Sequence, residues 1–253
     1  MYEKTGSLFS VSSLRTAAGF TGGTGRNPGR KGNWVKNREL SVTQADIACN
    51  TLTFKSAALW PLPDLETARA IPAALLQGER FAGRVRVDDR NNAIFPHFDL
   101  DGLCGYEIKN RGFTGFAKHG AKGLWLSHGR DGDNRLVLAE SALDALSYAA
   151  MFPDAHARYG SIGGKPNPQQ PELIRALVAR LPSGSEVVAA MDNDADGATL
   201  AGVVAQAVQL SGRDDLRFVV HQPVGVKDWN DALREKQPAF PFPIARTASP
   251  EVR

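Results

Sequence analysis

Two textures of apolar and polar positions divide the chain. From residue 135 the apolar residues fall into short runs, "RLVLA", "EVVAAM" and "LRFVVH", with "HARYGSI" a more polar segment of similar length. Between and after them come stretches with a helical period, "SALDALSYAAM", "PQQPELIRALVARL", "GATLAGVVAQAVQL" and "DWNDALREK". Unbroken runs belong to strands buried on both faces, and repeated strand–helix alternation predicts a parallel sheet covered by helices on both sides. Upstream the pattern differs. "RVRVDD", "NAIFPHFDL" and "LCGYEIKN" are divided by "DRNN" and "DG", which predicts a small antiparallel sheet. Before that, "VTQADIACNTL" and "DLETARAIPAALL" each offer one apolar helical face, the second capped by Asp64 and interrupted at Pro72.

The predicted order is therefore a small α+β domain over 41–130 and an α/β domain over 131–237. "GFTGGTGRNPGRKGNW" has little to bury, so residues 1–40 read as a flexible basic, glycine-rich arm. Residues 238–253 read as a disordered proline-rich tail.

Composition narrows the function classes. With 42% hydrophobic residues the chain can build a real core. No run approaches the roughly 18 apolar residues of a membrane helix, and "MYEKTGSLFS" lacks the basic-then-apolar order of a secretory signal, so a cytoplasmic protein with no membrane partner is expected. Cys49 and Cys104 supply neither a disulfide framework nor a zinc site, so no zinc is expected and any metal must be held by oxygen. Charge is uneven. Residues 1–39 hold seven Lys/Arg against two acids, residues 80–130 nine against five, and residues 131–237 ten against fifteen. A basic front and an acidic back suggest a polyanion on one part and a metal on the other, with ordinary solvated faces as the alternative. In the small sheet Arg84 with Arg86, and Lys109 with Arg111, recur at every second position, which places each pair on one face for DNA contact or for solvent.

The acids carry the chemistry. Glu140 directly follows "RLVLA" and Asp192 directly follows "EVVAAM", so both leave the carboxyl ends of buried parallel strands, where ligands of such sheets bind. Asp194 and Asp196 continue the series in "MDNDADG". Carboxylates gathered there call for a hard cation, and Mg²⁺, with Mn²⁺ as a substitute, suits one or two carboxylates plus phosphate oxygens. The competing reading is helix capping, by Asp194 or Asp196 ahead of Gly197 and by Glu140 ahead of Ser141. Lys227 could hold a phosphate or pair with Asp228 or Asp231, and Lys165 in "GGKPNP" could meet a phosphate or only solvent. Asp228 and Asn230 read as caps of the last helix or supports for Lys227, Trp229 as a core anchor, and the five histidines as structural or solvated.

"LVLAESALDALS", with Glu140 and Asp144, followed by "VVAAMDNDADG" and "GVKDWNDAL", resembles the Toprim domain of primases, topoisomerases and old-family nucleases. "SIGG" after the second strand and the small preceding segment resemble the primase-like Toprim proteins of plasmids and other mobile elements. The resemblance implies a Toprim-like parallel sheet flanked by helices, Glu140 as catalytic acid or base, and Asp192 and Asp194 on Mg²⁺. It also implies DNA, in single-stranded form, and nucleotides as partners, with replication or conjugation proteins nearby. A topoisomerase would need a strand-gate body that this length does not supply. Three functions stay open: primase-like nucleotidyl transfer, metal-dependent cleavage or nicking of DNA, and non-catalytic DNA binding.

Overall fold

The computed structural model describes residues 63–110 and 112–236. The expected arm, the first expected helix, Cys49, Arg111 and the tail lie outside the described residues.

Two short helices, α1 (Pro63–Thr67) and α2 (Ala73–Gln77), form over "DLETARAIPAALL", with the interruption expected at Pro72. The break falls at Pro72, the residue before α2, because proline withholds the amide that a continuous helix would need. Strands β1 (Arg86–Val87), β2 (Ala93–Phe98), β3 (Leu103–Asn110) and β4 (Phe113–Phe116) form an antiparallel sheet in the order β1-β2-β3-β4.

The second sheet contains β5 (Trp125–Leu126), β6 (Arg135–Ala139), β7 (Ala157–Ser161), β8 (Glu186–Ala190) and β9 (Arg217–Val220), in the order β5-β7-β6-β8-β9. Strands β6 to β9 are parallel, as expected. Strand β5 runs antiparallel along β7, so the sheet is mixed rather than purely parallel. A two-residue strand carries no period, which is why its pairing was not legible. Four helices follow their strands: α3 (Ala142–Met151), α4 (Gln170–Ala179), α5 (Ala195–Leu210) and α6 (Trp229–Lys236). None of the described helices is long and apolar enough to cross a membrane.

The unbroken apolar runs now have a cause. In β6, Val137 and Ala139 join a core with Leu143, Leu146, Tyr148, Trp229 and Leu233 of α3 and α6. Leu136 and Leu138 point the other way, into a core with Leu173 and Ile174 of α4 and Val204 and Val208 of α5. The first of these cores also takes in Leu65, Ile71, Phe81, Val87, Ala93, Phe95 and Trp125. The regions before and after residue 130 therefore share this core. Arg80 reinforces the join, donating to Asp133 at 2.6 and 2.8 Å, to the His128 carbonyl at 2.9 Å and to the Ala155 carbonyl at 2.7 Å.

Candidate active site

The site is built from strand ends. Ala139 of β6 lies opposite Ala190 of β8 in parallel register, so Glu140 and Asp192 emerge from neighbouring strands roughly 4.8 Å apart. Ser141 caps α3 by accepting from the Asp144 amide and donates its hydroxyl to the Asp144 carboxylate. Asp194 caps α5, accepting the Gly197 amide at 2.8 Å. Gly197 is required by close approach, since a Cβ there would collide with the Asp192 carbonyl oxygen. The turn after β7 closes another side: the amides of Gly163 and Gly164, both at left-handed φ (77° and 76°), donate to the Glu140 carbonyl at 2.8 and 3.1 Å.

Electrostatics mark these acids as crowded. Asp192 is buried, and burial first, then Asp144, Glu140, Asp228 and Asp194, push its carboxyl up to about 8. Burial, then Asp144 and Asp194, raise Glu140, while Lys227 opposes the shift. Asp144 is raised by burial despite its bond from Ser141. Oδ1 of Asp192 and Oε2 of Glu140 are buried without a hydrogen-bond partner. Two orphaned carboxylate oxygens at neighbouring strand ends fit a hard cation that keeps several waters. Among the described residues, no three Asp, Glu, His or Cys side chains stand together as a ready-made cage.

Of the remaining predicted residues, Asp194 and Lys227 stay beside these acids. Asp194 is both helix cap and ion-pair partner of Lys227 at 3.2 Å, which holds its carboxyl below the usual range. Lys227 therefore pairs with Asp194, not with Asp228 or Asp231, and its own carbonyl accepts the Asn193 amide at 2.8 Å. Asp196 is exposed in the first turn of α5. Asp228 accepts the Asp231 amide at 2.7 Å, the cap expected of it. Asn230 is no cap: its Nδ2 donates to the Arg69 carbonyl at 2.8 Å and to Ser147 Oγ at 3.0 Å, tying α6 to α3 and to the upstream region. Trp229 is the core anchor, with its indole nitrogen donating to the Ala190 carbonyl at 3.0 Å.

The basic residues do not form one patch. Register places Arg86 beside Ile94 and Ala93 beside Lys109, so Arg86 and Lys109 sit on opposite faces of the small sheet. Lys109 pairs with Glu107 at 3.4 Å and acts on Asp144, so its face is the one toward the acids. Arg84 lies ahead of β1 with its guanidinium over the Phe98 ring, 4.5 Å from the centroid. Lys165 is exposed, and its carbonyl accepts Lys122 Nζ at 2.7 Å.

Two site residues were given no role from sequence. Asp144 had a signal, an acid four residues after Glu140 inside an apolar helix, and it is buried beside the strand ends. Lys122 had none. It sits in a loop, half-buried, where Glu107 and Glu140 act on its ammonium.

A mixed α/β sheet with carboxylates at the ends of adjacent parallel strands defines a class that binds its ligand along that edge. Residues 137–233 match a family described as Toprim-like. Residues 65–134 match one described as a protein of unknown function, DUF3991. The chain thus carries a Toprim-like domain with that second region preceding it. No curated protein sequence matches it. Among solved structures, the primase fragment of the bacteriophage T7 primase-helicase protein is similar at 16% identity with TM-score 0.46, over 71% of this chain and 74% of that one. A DNA primase domain from Pseudomonas aeruginosa is similar at 12% identity with TM-score 0.47, over 75% and 74%.

Proposed function

We propose that this Toprim-domain protein is a divalent-metal-dependent, primase-like nucleotidyltransferase acting on single-stranded DNA, in the replication or transfer of a plasmid or other mobile element. The observation that carries this reading is the pair of buried, unpartnered carboxylate oxygens on Glu140 and Asp192 at neighbouring strand ends. Mg²⁺, when bound, supplies positive charge to phosphate oxygens and to the developing negative charge of phosphoryl transfer. Asp192 offers the first oxygen ligand, and Asp194 offers another when Lys227 turns from it toward a phosphate. Glu140, whose carboxyl is raised by burial and by Asp144 and Asp194, is a stronger base than a free carboxylate and is suited to take the proton of an attacking hydroxyl. Lys109, whose charge acts on Asp144, and Lys122, on which Glu140 acts, are the cations we assign to carrying strand phosphates without reading bases.

The test uses the full chain with labelled single-stranded DNA, ribonucleotides and Mg²⁺. New oligomers that disappear with Glu140→Gln, while the thermal midpoint is kept, are the expected result. Shortened substrate in place of new strands would assign the same acids to hydrolysis, and DNA binding with neither product would overturn the enzymatic reading.

A further inference from the structure

Away from the acids, a cleft of about 320 Å³ opens between the small sheet and the Toprim unit. Arg158, on its wall, lies opposite Leu136 in β6, and Glu140 leaves that strand four residues later, about 13 Å further on at ~3.3 Å per residue. The cleft is therefore distinct from the crevice of Glu140 and Asp192. One wall is apolar, with Leu126 of β5 and Leu173, Ala176 and Leu177 of α4. Arg84, Arg158 and Arg180 line the rest together with Asp99 and Asp101 of the β2–β3 turn.

Three guanidiniums meet in one cleft, Arg84 and Arg158 half-buried and Arg180 exposed, and like charges repel more where water is partly excluded. Nε of Arg84 and Nε of Arg158 are buried with no partner. Burial first, then Arg158, brings Arg84 down to about 10, and burial, Arg80 and Arg180 lower Arg158 against the pull of Asp133. Two acids, Asp99 and Asp101, share the cleft with the three arginines, which leaves an excess of positive charge. Asp133 is held by both terminal nitrogens of Arg80, and Asp99 accepts the amides of Asp101 and Gly102 at 2.9 and 3.1 Å. Arg84 is also pre-positioned: it lies over Phe98, and its Nη2 meets His128 Nδ1 at 3.1 Å while His128 Nε2 donates to the Ala82 carbonyl at 2.9 Å.

We propose that this cleft is a second phosphate site, which takes the phosphate monoester of a nucleotide and lays its sugar and base against the α4 wall. A monoester carries about −1.5 to −2 at neutral pH and three outward oxygens, which suits several guanidinium forks better than the single charge of a backbone diester. The volume is at the small end of ligand pockets, matching one nucleotide rather than a length of strand. The monoester belongs either to a free nucleotide or to the 5′ end of a strand.

The experiment is calorimetry on the full chain in EDTA, so that metal-dependent binding at the acids does not contribute. The probes are AMP, adenosine, and one oligodeoxynucleotide with and without a 5′-phosphate. AMP binding more tightly than adenosine assigns the free nucleotide, and preference only for the phosphorylated oligonucleotide assigns the strand end. Either supports the site, provided Arg84→Gln and Arg158→Gln each weaken that binding about tenfold or more and Asp192→Asn does not. Arg158→Lys keeps charge and stem but not the fork, so it separates lost recognition from lost folding, which circular dichroism also follows. No advantage from the phosphate on either probe, or binding indifferent to all three arginine variants, would overturn the proposal.

Discussion

Replacing Asp192 by asparagine should make the metal-free protein more stable above neutral pH. An unfolded aspartate titrates near 3.8, whereas in the fold its carboxyl is pushed up to about 8 by burial and by Asp144, Glu140, Asp228 and Asp194. Between those values the native state holds a proton that the unfolded state has lost, so wild-type stability falls as pH rises from about 4 to about 8. At ~1.4 kcal/mol per unit the shift sets a ceiling of about 6 kcal/mol. Solvent at the mouth of the crevice and the nearby Lys227 charge reduce this to about 2–3 kcal/mol. The substituted amide would carry no such penalty while keeping the shape. In EDTA the thermal midpoints of the two proteins should agree near pH 4 and diverge to roughly 4–10 °C by pH 8, with the variant higher. Adding Mg²⁺ at pH 8 should raise wild type and leave Asp192→Asn unmoved. Parallel pH profiles for the two proteins would refute the crowding of carboxylates at the strand ends.

Other outcomes follow from single contacts. Gly197→Ala drives a methyl into the Asp192 carbonyl and should destabilise by about 2–4 kcal/mol, read by urea unfolding, with Mg²⁺ response lost even where folding survives. Arg80→Met leaves Asp133 buried and unpaired and should cost about 3–5 kcal/mol, with both regions unfolding in one transition because their core is shared.

The parallel strands were legible because both of their faces are buried, leaving an unbroken apolar signature in residues such as Leu136 to Ala139. Glu140 and Asp192 were legible for a related reason, since a charge placed directly after such a run must sit at a strand end. Pairings between distant segments left no such mark. Nothing around Trp125 announces a strand, and nothing in "GVKDW" says that Lys227 reaches Asp194 rather than its neighbour Asp228. Alternation grouped Arg86 with Arg84 and Lys109 with Arg111, but only the register of β1, β2 and β3 shows the first pair's strand member facing away from Lys109.

The contribution of β5 makes the two matched regions a single heritable piece. A recombination event that moved residues 131–237 alone would leave β7 with a naked backbone edge and uncover the aromatic side of Tyr159, which Phe81 now shields at 5.6 Å between ring centres. Such an orphan would invite strand pairing with other copies of itself, so lineages that trade this module should be expected to trade both halves together.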